Sequence, residues 1–283
     1  VISMHKPNLT NKVAVVTGGT GVLGTYWCKA LAECGAKVAI LGTNLEKGQK
    51  LVKEIEETNG IALAVKVDVL NKESLLEAKK IINATFGPCD ILINGAGGNH
   101  PKGTTTKEYF EIEDLDKNDL STFFNLPLEG FAYVFNLNFL GTLLTIQVFA
   151  EDMIGKDDAT IINISSMNAF KPLTKIPAYS AAKAAINNFT QWLAVHFAKV
   201  GIRVNAIAPG FFLTKQNESL LIDKEGNLTD RARKIISHTP IGRFGKPEEL
   251  IGTLLYLVDK EASGFVTGVV IPVDGGFSSY SGV

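Results

Sequence analysis

A short apolar run, KVAVVT at 12–17, leads directly into the glycines of TGGTGVLG at 17–24, and the residues behind them, Gly24 to Cys34, carry a helical pattern. Strand, tight glycine turn and helix in immediate succession make the first half of a βαβ unit, which commits the next strand to run parallel to the first. The unit then repeats. Strands are predicted at Lys37–Leu41, Ala62–Val67, Asp90–Asn94, Thr160–Ile164, Ile202–Ile207 and Val269–Val273, with helices over Leu45–Thr58, Lys72–Phe86 and Ala178–Lys199. The strands seldom alternate apolar with polar residues, so both faces are covered. The expected fold class is α/β, a doubly wound parallel sheet with its ligand outside the carboxyl ends of the strands. Pro272 argues for an edge position of the last strand.

The strands are spread evenly along 283 residues, 46% of them hydrophobic, which favours one large domain over 1–283 rather than two small ones. Lys and Arg number 28 against 29 Asp and Glu, without long blocks of either sign, so nothing in the charge attracts a nucleic acid. Cys28, Cys34 and Cys89 are odd in number and lack metal-site spacing; they read as buried thiols in a reducing compartment, and no metal is expected. The first residues, VISMHKPNLTNK, contain no apolar signal, and no apolar run suggests a membrane span. A soluble cytoplasmic protein without membrane partners is expected.

Residues 99–135 break the rhythm, with acids, threonines and paired aromatics in no clear period. They form either a surface excursion or part of a substrate lid; departure from the end of the fourth strand favours the lid. A second mobile segment is expected over about 211–238.

Glycines between a strand and a helix N-terminus suit a dinucleotide pyrophosphate. An acid at the end of the second strand would hold the adenosine ribose of NAD, but Gly42, Thr43 and Asn44 stand there. NAD or NADP is expected, with a lean to NADP; Lys47 is either a partner of the 2′-phosphate or a solvated lysine. Asp68 can accept from the adenine amino group or cap the next helix, and Asn94, Gly95, Ala96, Gly97 and Gly98 permit close passage of a cofactor.

Tyr179 and Lys183, four apart in AYSAAKAAINNF, share a helix face. A cationic lysine there lowers the phenol pKa and prepares an acid/base; the alternative is a solvated pair. Ser165 and Ser166 end the fifth strand, where a hydroxyl can bind a substrate oxygen. His5, His100, His196 and His238 are scattered through arm, loop, helix and late segment, which disfavours serine-hydrolase chemistry.

Taken together, TGGTGVLG, DV at 68–69, NGAG at 94–97, NFLG at 138–141, NISS at 163–166, YSAAK at 179–183, PGFFLT at 209–214 and VDGG at 273–276 closely resemble the classical short-chain dehydrogenases/reductases, Rossmann-fold enzymes, over about Lys12 to Gly276. The resemblance implies Tyr179 as general acid/base, Ser166 holding the reacting oxygen, Lys183 on the nicotinamide ribose and Asn138 in the proton relay. It implies a cofactor site made by Gly18, Thr20, Gly21, Val22, Leu23, Gly42, Thr43, Asn44, Asp68, Val69, Asn94, Gly95, Ala96, Gly97, Ile164, Tyr179, Lys183, Pro209, Gly210, Phe212 and Thr214. A homotetramer and metal-free hydride transfer are implied too. Two departures stand out. Val22 occupies the place of the loop's middle glycine, and the stretch from Asn94 to Asn138 is longer than the family needs.

That extra stretch, with ISSMNAF at 164–170 and FFLTKQN at 211–217, is similar to the branch described as D-mannonate oxidoreductases or fructuronate reductases. It implies a small anionic sugar-acid substrate. Asn99, His100, Asn168, Lys171, Lys215, Gln216 and Arg243 are the expected substrate contacts, with Lys102 also considered, while Arg203 is expected to be structural. A sugar or polyol dehydrogenase, a 3-oxoacyl-thioester reductase, and a non-catalytic nucleotide-binding regulator are the alternatives.

Overall fold

Seven parallel strands, in the order β3-β2-β1-β4-β5-β6-β7, form the centre of the computed structural model, which describes residues 6–214 and 217–282. The strands are β1 (Val13–Thr17), β2 (Lys37–Gly42), β3 (Ile61–Lys66), β4 (Ile91–Asn94), β5 (Ala159–Ile164), β6 (Ile202–Pro209) and β7 (Val270–Val273). The chain winds outward from β1 to β3, then returns to lay β4 on the other side of β1. That reversal opens a crevice between β1 and β4. Register sets Thr17 opposite Asn94 and Asn94 opposite Asn163, so the chemistry-bearing strand ends lie abreast on one edge.

Each face of the sheet is sealed by its own apolar layer. On one side α1 (Val22–Glu33) and α2 (Leu45–Glu56) pack Leu31, Leu51 and Ile55 against Ile40 and Ile93. On the other, α3 (Lys72–Thr85) packs Leu75 and Ile82 against Leu92 and Ile161. Each fully buried side chain of this kind contributes about 1.5–3 kcal/mol relative to exposure. Pro272 does lie on an edge strand, β7, where its missing N–H leaves no ladder bond unmade. Arg203 is structural, donating to the Leu257 carbonyl at 2.9 Å.

The expected excursion over 99–135 is shorter than its sequence suggests. Loop and single turns at Pro101–Gly103 and Ile112–Asp114 run to Pro127, and α4 (Leu128–Phe135) begins there. A π turn, Asn136–Leu140, leads into α5 (Gly141–Phe149). The helical run Leu128–Met153, 26 residues containing an 18-residue window of mean hydropathy 1.4, is long and apolar enough to cross a membrane by length and composition alone. Its inner side, including Val134, Ile146, Phe149 and Met153, is core. Its outer side also carries apolar groups, Tyr133, Phe135 and Leu140, which erases the amphipathic period.

The remaining α-helices are α6 (Pro177–His196), α7 (Glu218–Leu221), α8 (Asp230–Ser237), α9 (Ile251–Val258) and α10 (Lys260–Ser263). Among the strands, the long α6 packs mainly against β6, and it carries the Tyr/Lys pair. Helix α9 completes the first apolar layer through Leu254 and Leu257.

Candidate active site

The glycine loop is built by contacts that admit no side chain. Gly18 has φ +64, and a Cβ on Gly24 would lie 2.1 Å from the Gly18 carbonyl oxygen. Gly21 caps α1 in extended conformation, and Val22 and Leu23 are its first helical residues, so the shifted glycine puts the flexible position at the cap rather than inside the helix. Helix α1 has no side-chain cap and no acid in its first turn, which leaves its N-terminal donors and positive end for an anion. The residues fit a dinucleotide.

The end of β2 packs tightly on the glycine loop at Gly42 only. A Cβ on Gly42 would sit 2.4 Å from Thr20 Oγ1, so a side chain there would require Thr20 to move. Thr43 follows, and Asn44 caps α2 by accepting from the Lys47 N–H at 2.9 Å. The Lys47 side chain is exposed. Asp68 closes its own turn by accepting from Leu70 N at 2.9 Å, while Asn71, not Asp68, caps α3. Val69 is buried against Gly141.

After β4 the backbone threads between packed groups. Gly95 covers Trp27, and the Ala96 N–H donates to Thr17 Oγ1 at 3.3 Å. Asn94 donates to Asn163 Oδ1 and Asn163 to Thr190 Oγ1, each at 2.9 Å, a buried chain from sheet to α6 that the sequence did not reveal. Gly97 touches both Asn138 and Lys183: an added Cβ would lie 2.5 Å from Asn138 Oδ1 and 3.2 Å from Lys183 Nζ. Asn138, fully buried on the π turn, accepts from Gly98 N at 3.1 Å and donates to Gly98 O at 2.7 Å.

Ser166 begins the turn Met167–Ala169, its Oγ accepting from Asn168 N at 3.2 Å. Ser165 points the other way, donating to Asn187 Oδ1 on α6. Pro177 opens α6 and sets Tyr179 in its first turn. Lys183 Nζ donates to the Ile164 carbonyl at 2.8 Å and lies 5.6 Å from the Tyr179 ring centroid. Burial of the hydroxyl end raises the Tyr179 pKa above its ordinary value, partly offset by a hydrogen bond with Ser166. Burial also lowers Lys183, to about 8. Desolvation is the larger influence on the phenol, and Ser166 is the group that pulls back.

The nicotinamide-end residues expected from the sequence sit at the carboxyl end of β6. Ile164 ends β5 beside it, Pro209 is its last residue, and Gly210 passes Asp274 too closely for a side chain. Phe212 is buried against Gly245. Asn217 braces the turn by accepting from Thr214 N and donating to Phe212 O, both at 2.9 Å, a role the sequence left unmarked.

The expected substrate contacts divide. Asn99 bonds Thr104 at 3.0 Å, and His100 accepts from Lys102 N at 3.1 Å with its ring 4.9 Å from Tyr133. Asn168 is buried and its Oδ1 has no hydrogen-bond partner among the described residues. Lys171 donates to the Tyr280 carbonyl. Arg243 is engaged by both oxygens of Glu249 at 2.7 Å. Lys215, Gln216 and His5 lie outside the described residues. The 99–127 loop meets α8 through Glu108 and Lys234, at 2.5 Å, and the segment before α6 through Thr105 N and Lys175 O, at 2.8 Å.

Residues 12–225 match the short chain dehydrogenase family. A Haemophilus influenzae oxidoreductase is 59% identical over 276 residues, 98% of this chain and 96% of its own. The Bacillus subtilis oxidoreductase UxuB is 55% identical over 283 residues, all of both chains. A Haemophilus crystal structure with bound NAD, described as a candidate D-mannonate oxidoreductase, superposes with TM-score 0.94 at 58% identity, covering 98% of each chain. By these matches the chain belongs to the short-chain dehydrogenase/reductase family and is an NAD(P)-dependent oxidoreductase.

Proposed function

We propose that residues 1–283 act as one catalytic domain that interconverts D-fructuronate and D-mannonate at C5. The observation that carries the reaction type is the gathering of Ser166, Tyr179 and buried Lys183 at the carboxyl end of β5, with Lys183 Nζ held by the Ile164 carbonyl at 2.8 Å and 5.6 Å from the Tyr179 ring centroid. The substrate reading draws support from the description of the Haemophilus relative as a candidate D-mannonate oxidoreductase.

The bound nicotinamide supplies or accepts hydride at the substrate carbon. Gly18, Thr20, Gly21, Val22 and Leu23 would hold the pyrophosphate side, Gly42 to Asn44, Asp68, Val69 and Asn94 to Gly97 the adenosine side, and Ile164, Pro209, Gly210, Phe212 and Thr214 the nicotinamide end. Ser166 orients the substrate oxygen by hydrogen bonding. Tyr179, kept protonated by burial, donates the phenol proton to that oxygen in reduction and recovers it in oxidation. Lys183, when cationic, stabilises the phenolate left behind. Asn138 fixes the Gly98 backbone beside both.

The cofactor site is read as open to both NAD(H) and NADP(H). Gly42, Thr43 and Asn44 present no carboxylate to repel a 2′-phosphate, which favours the phosphorylated cofactor, whereas the Haemophilus relative holds NAD. Fluorescence titration is expected to give dissociation constants within about tenfold, or 1.4 kcal/mol, of each other; a larger gap in either direction would overturn dual use. Self-association into a tetramer is supported by exposed Tyr133, Phe135, Leu140, Trp192 and Val195. Cys28, Cys34 and Cys89, all free and buried, fit work in a reducing, cytoplasmic setting.

A panel of hexuronates, aldonates, polyols and acyl thioesters with both cofactors tests the substrate reading. Turnover of D-fructuronate and D-mannonate is expected. Efficient reduction of an acyl thioester with none of keto sugar acids would replace it.

A further inference from the structure

A sugar acid brings a carboxylate that a water-excluding site has to pair. Most cations around the opening are already committed. Arg243 is bound by both Glu249 oxygens, Lys234 by Glu108, and Lys183 is buried on the Ile164 carbonyl next to the reacting phenol. Lys102 is exposed on the turn Pro101–Gly103.

Lys171 differs from all of these. It is half-buried, and its backbone N–H donates to Met167 O at 3.1 Å, so it is carried by the turn that starts at Ser166. Its Nζ donates to the main-chain carbonyl of Tyr280, and no carboxylate lies within ion-pair distance of it among the described residues. A carbonyl fixes an ammonium in place without neutralising it. An ammonium has three donors, and one is spent here.

The segment that supplies this carbonyl is itself anchored. Asp274 accepts from Gly276 N at 2.9 Å and from Ser278 N at 2.8 Å, and Phe277 is buried with its ring 5.4 Å from Phe211. Tyr280 lies 6.1 Å from His238, at the end of α8. The late segment is thus wedged between the loop after β6 and the turn after β5.

We propose that Lys171 binds the substrate carboxylate and that Phe277–Tyr280 forms part of the substrate site by holding that ammonium through the Tyr280 carbonyl, an assignment that rests on the sugar-acid reading. A charge-assisted hydrogen bond to a carboxylate is roughly twice as strong as a neutral one, so this contact separates a keto acid from a neutral ketose of the same length.

The test is steady-state kinetics of Lys171→Met, Lys171→Arg and a chain truncated after Ser279, each first shown to bind NADH and to melt cooperatively. Lys171→Met is expected to raise KM for the keto acid about ten- to hundredfold while kcat changes by less than about threefold. The arginine variant should recover most of the loss. The ratio of kcat/KM for the keto acid to that for the neutral ketose should collapse in Lys171→Met. Truncation keeps Lys171 and should raise the same KM; an unchanged value overturns the role of the late segment. If Lys171→Met holds its keto-acid KM within about twofold, or loses equally on acid and neutral ketose, the carboxylate assignment is overturned. Wild-type protein that turns over no keto sugar acid defeats the sugar-acid reading and this assignment with it. Wild-type turnover with an unmoved KM in the variant defeats this assignment alone.

Discussion

Gly97 shows how little freedom the reacting groups have. A methyl group there would press on Asn138 Oδ1 and Lys183 Nζ together, and Asn138 cannot yield because Gly98 holds it from both sides. Overpacking of this kind costs about 1–3 kcal/mol. Gly97→Ala is expected to lower kcat by at least about tenfold through misplacement of both side chains. Kinetics alongside a thermal melt separate that loss from simple unfolding, and native kcat with a lowered melting temperature would show that the contact serves only stability. Lys183 also gives the enzyme a pH signature. Burial lowers it to about 8, so it loses its charge as pH rises through that value, while Tyr179, shifted upward, stays protonated. For reduction, kcat/KM should be level below pH about 8 and decline above it. In stability the same shift acts in reverse: the fold bears the cost of the buried charge at lower pH and is relieved of it as pH rises from about 8 toward the ordinary lysine value. A reduction rate that stays level to pH about 10 would show that the charge has no part in the step.

The 99–127 loop is ordered by one buried carboxylate rather than by regular structure. Asp114, 2% exposed, is gripped by Lys107 at 2.9 Å, by Lys117 at 3.0 Å and by the Glu111 N–H at 3.1 Å. These bonds hold its carboxyl down to about 2, so their contribution is complete above the ordinary carboxylate range and disappears as pH falls through about 2. Asp114→Asn should speed proteolysis within 104–126 and lower kcat/KM, with the melting temperature of the sheet little changed. Cleavage at the wild-type rate would contradict the clamp. None of this was legible in the sequence, because Lys107, Glu111 and Asp114 are spaced as on a helix yet occupy a loop and a single turn. Helix α4 was hidden for a related reason, its exposed aromatics leaving no polar face to read. The strands and the first three helices were legible because burial on both faces leaves uninterrupted apolar runs between the charged helices, whereas the caps Asn44 and Asn71 emerged only from the fold. Asn138 was found through family resemblance, but the π turn that aims it depends on backbone geometry that no residue spacing records. That Arg243 is engaged by Glu249 could be learned only from the fold.

At the scale of the molecule, the strands, the π turn and α6 bring the proposed catalytic groups together at the carboxyl edge of the sheet, while α4–α6 leave Tyr133, Phe135, Trp192 and Val195 exposed. Trp192, 55% exposed, stacks 4.5 Å from His196 and shares a groove of about 400 Å³ with Leu143 and Phe189. Exposed apolar side chains gathered on one side fit the tetramer proposed above. Light scattering is expected to give a tetramer, and Trp192→Glu a smaller species; a monomeric wild type would contradict that reading. The central claim, that Tyr179 passes a proton to a sugar-acid oxygen, is tested most directly by pairing wild type with Tyr179→Phe. Wild type should oxidise NADH with D-fructuronate, and the variant should bind NADH normally while losing about 10²–10⁴-fold in kcat. Near-native turnover by Tyr179→Phe would contradict the account.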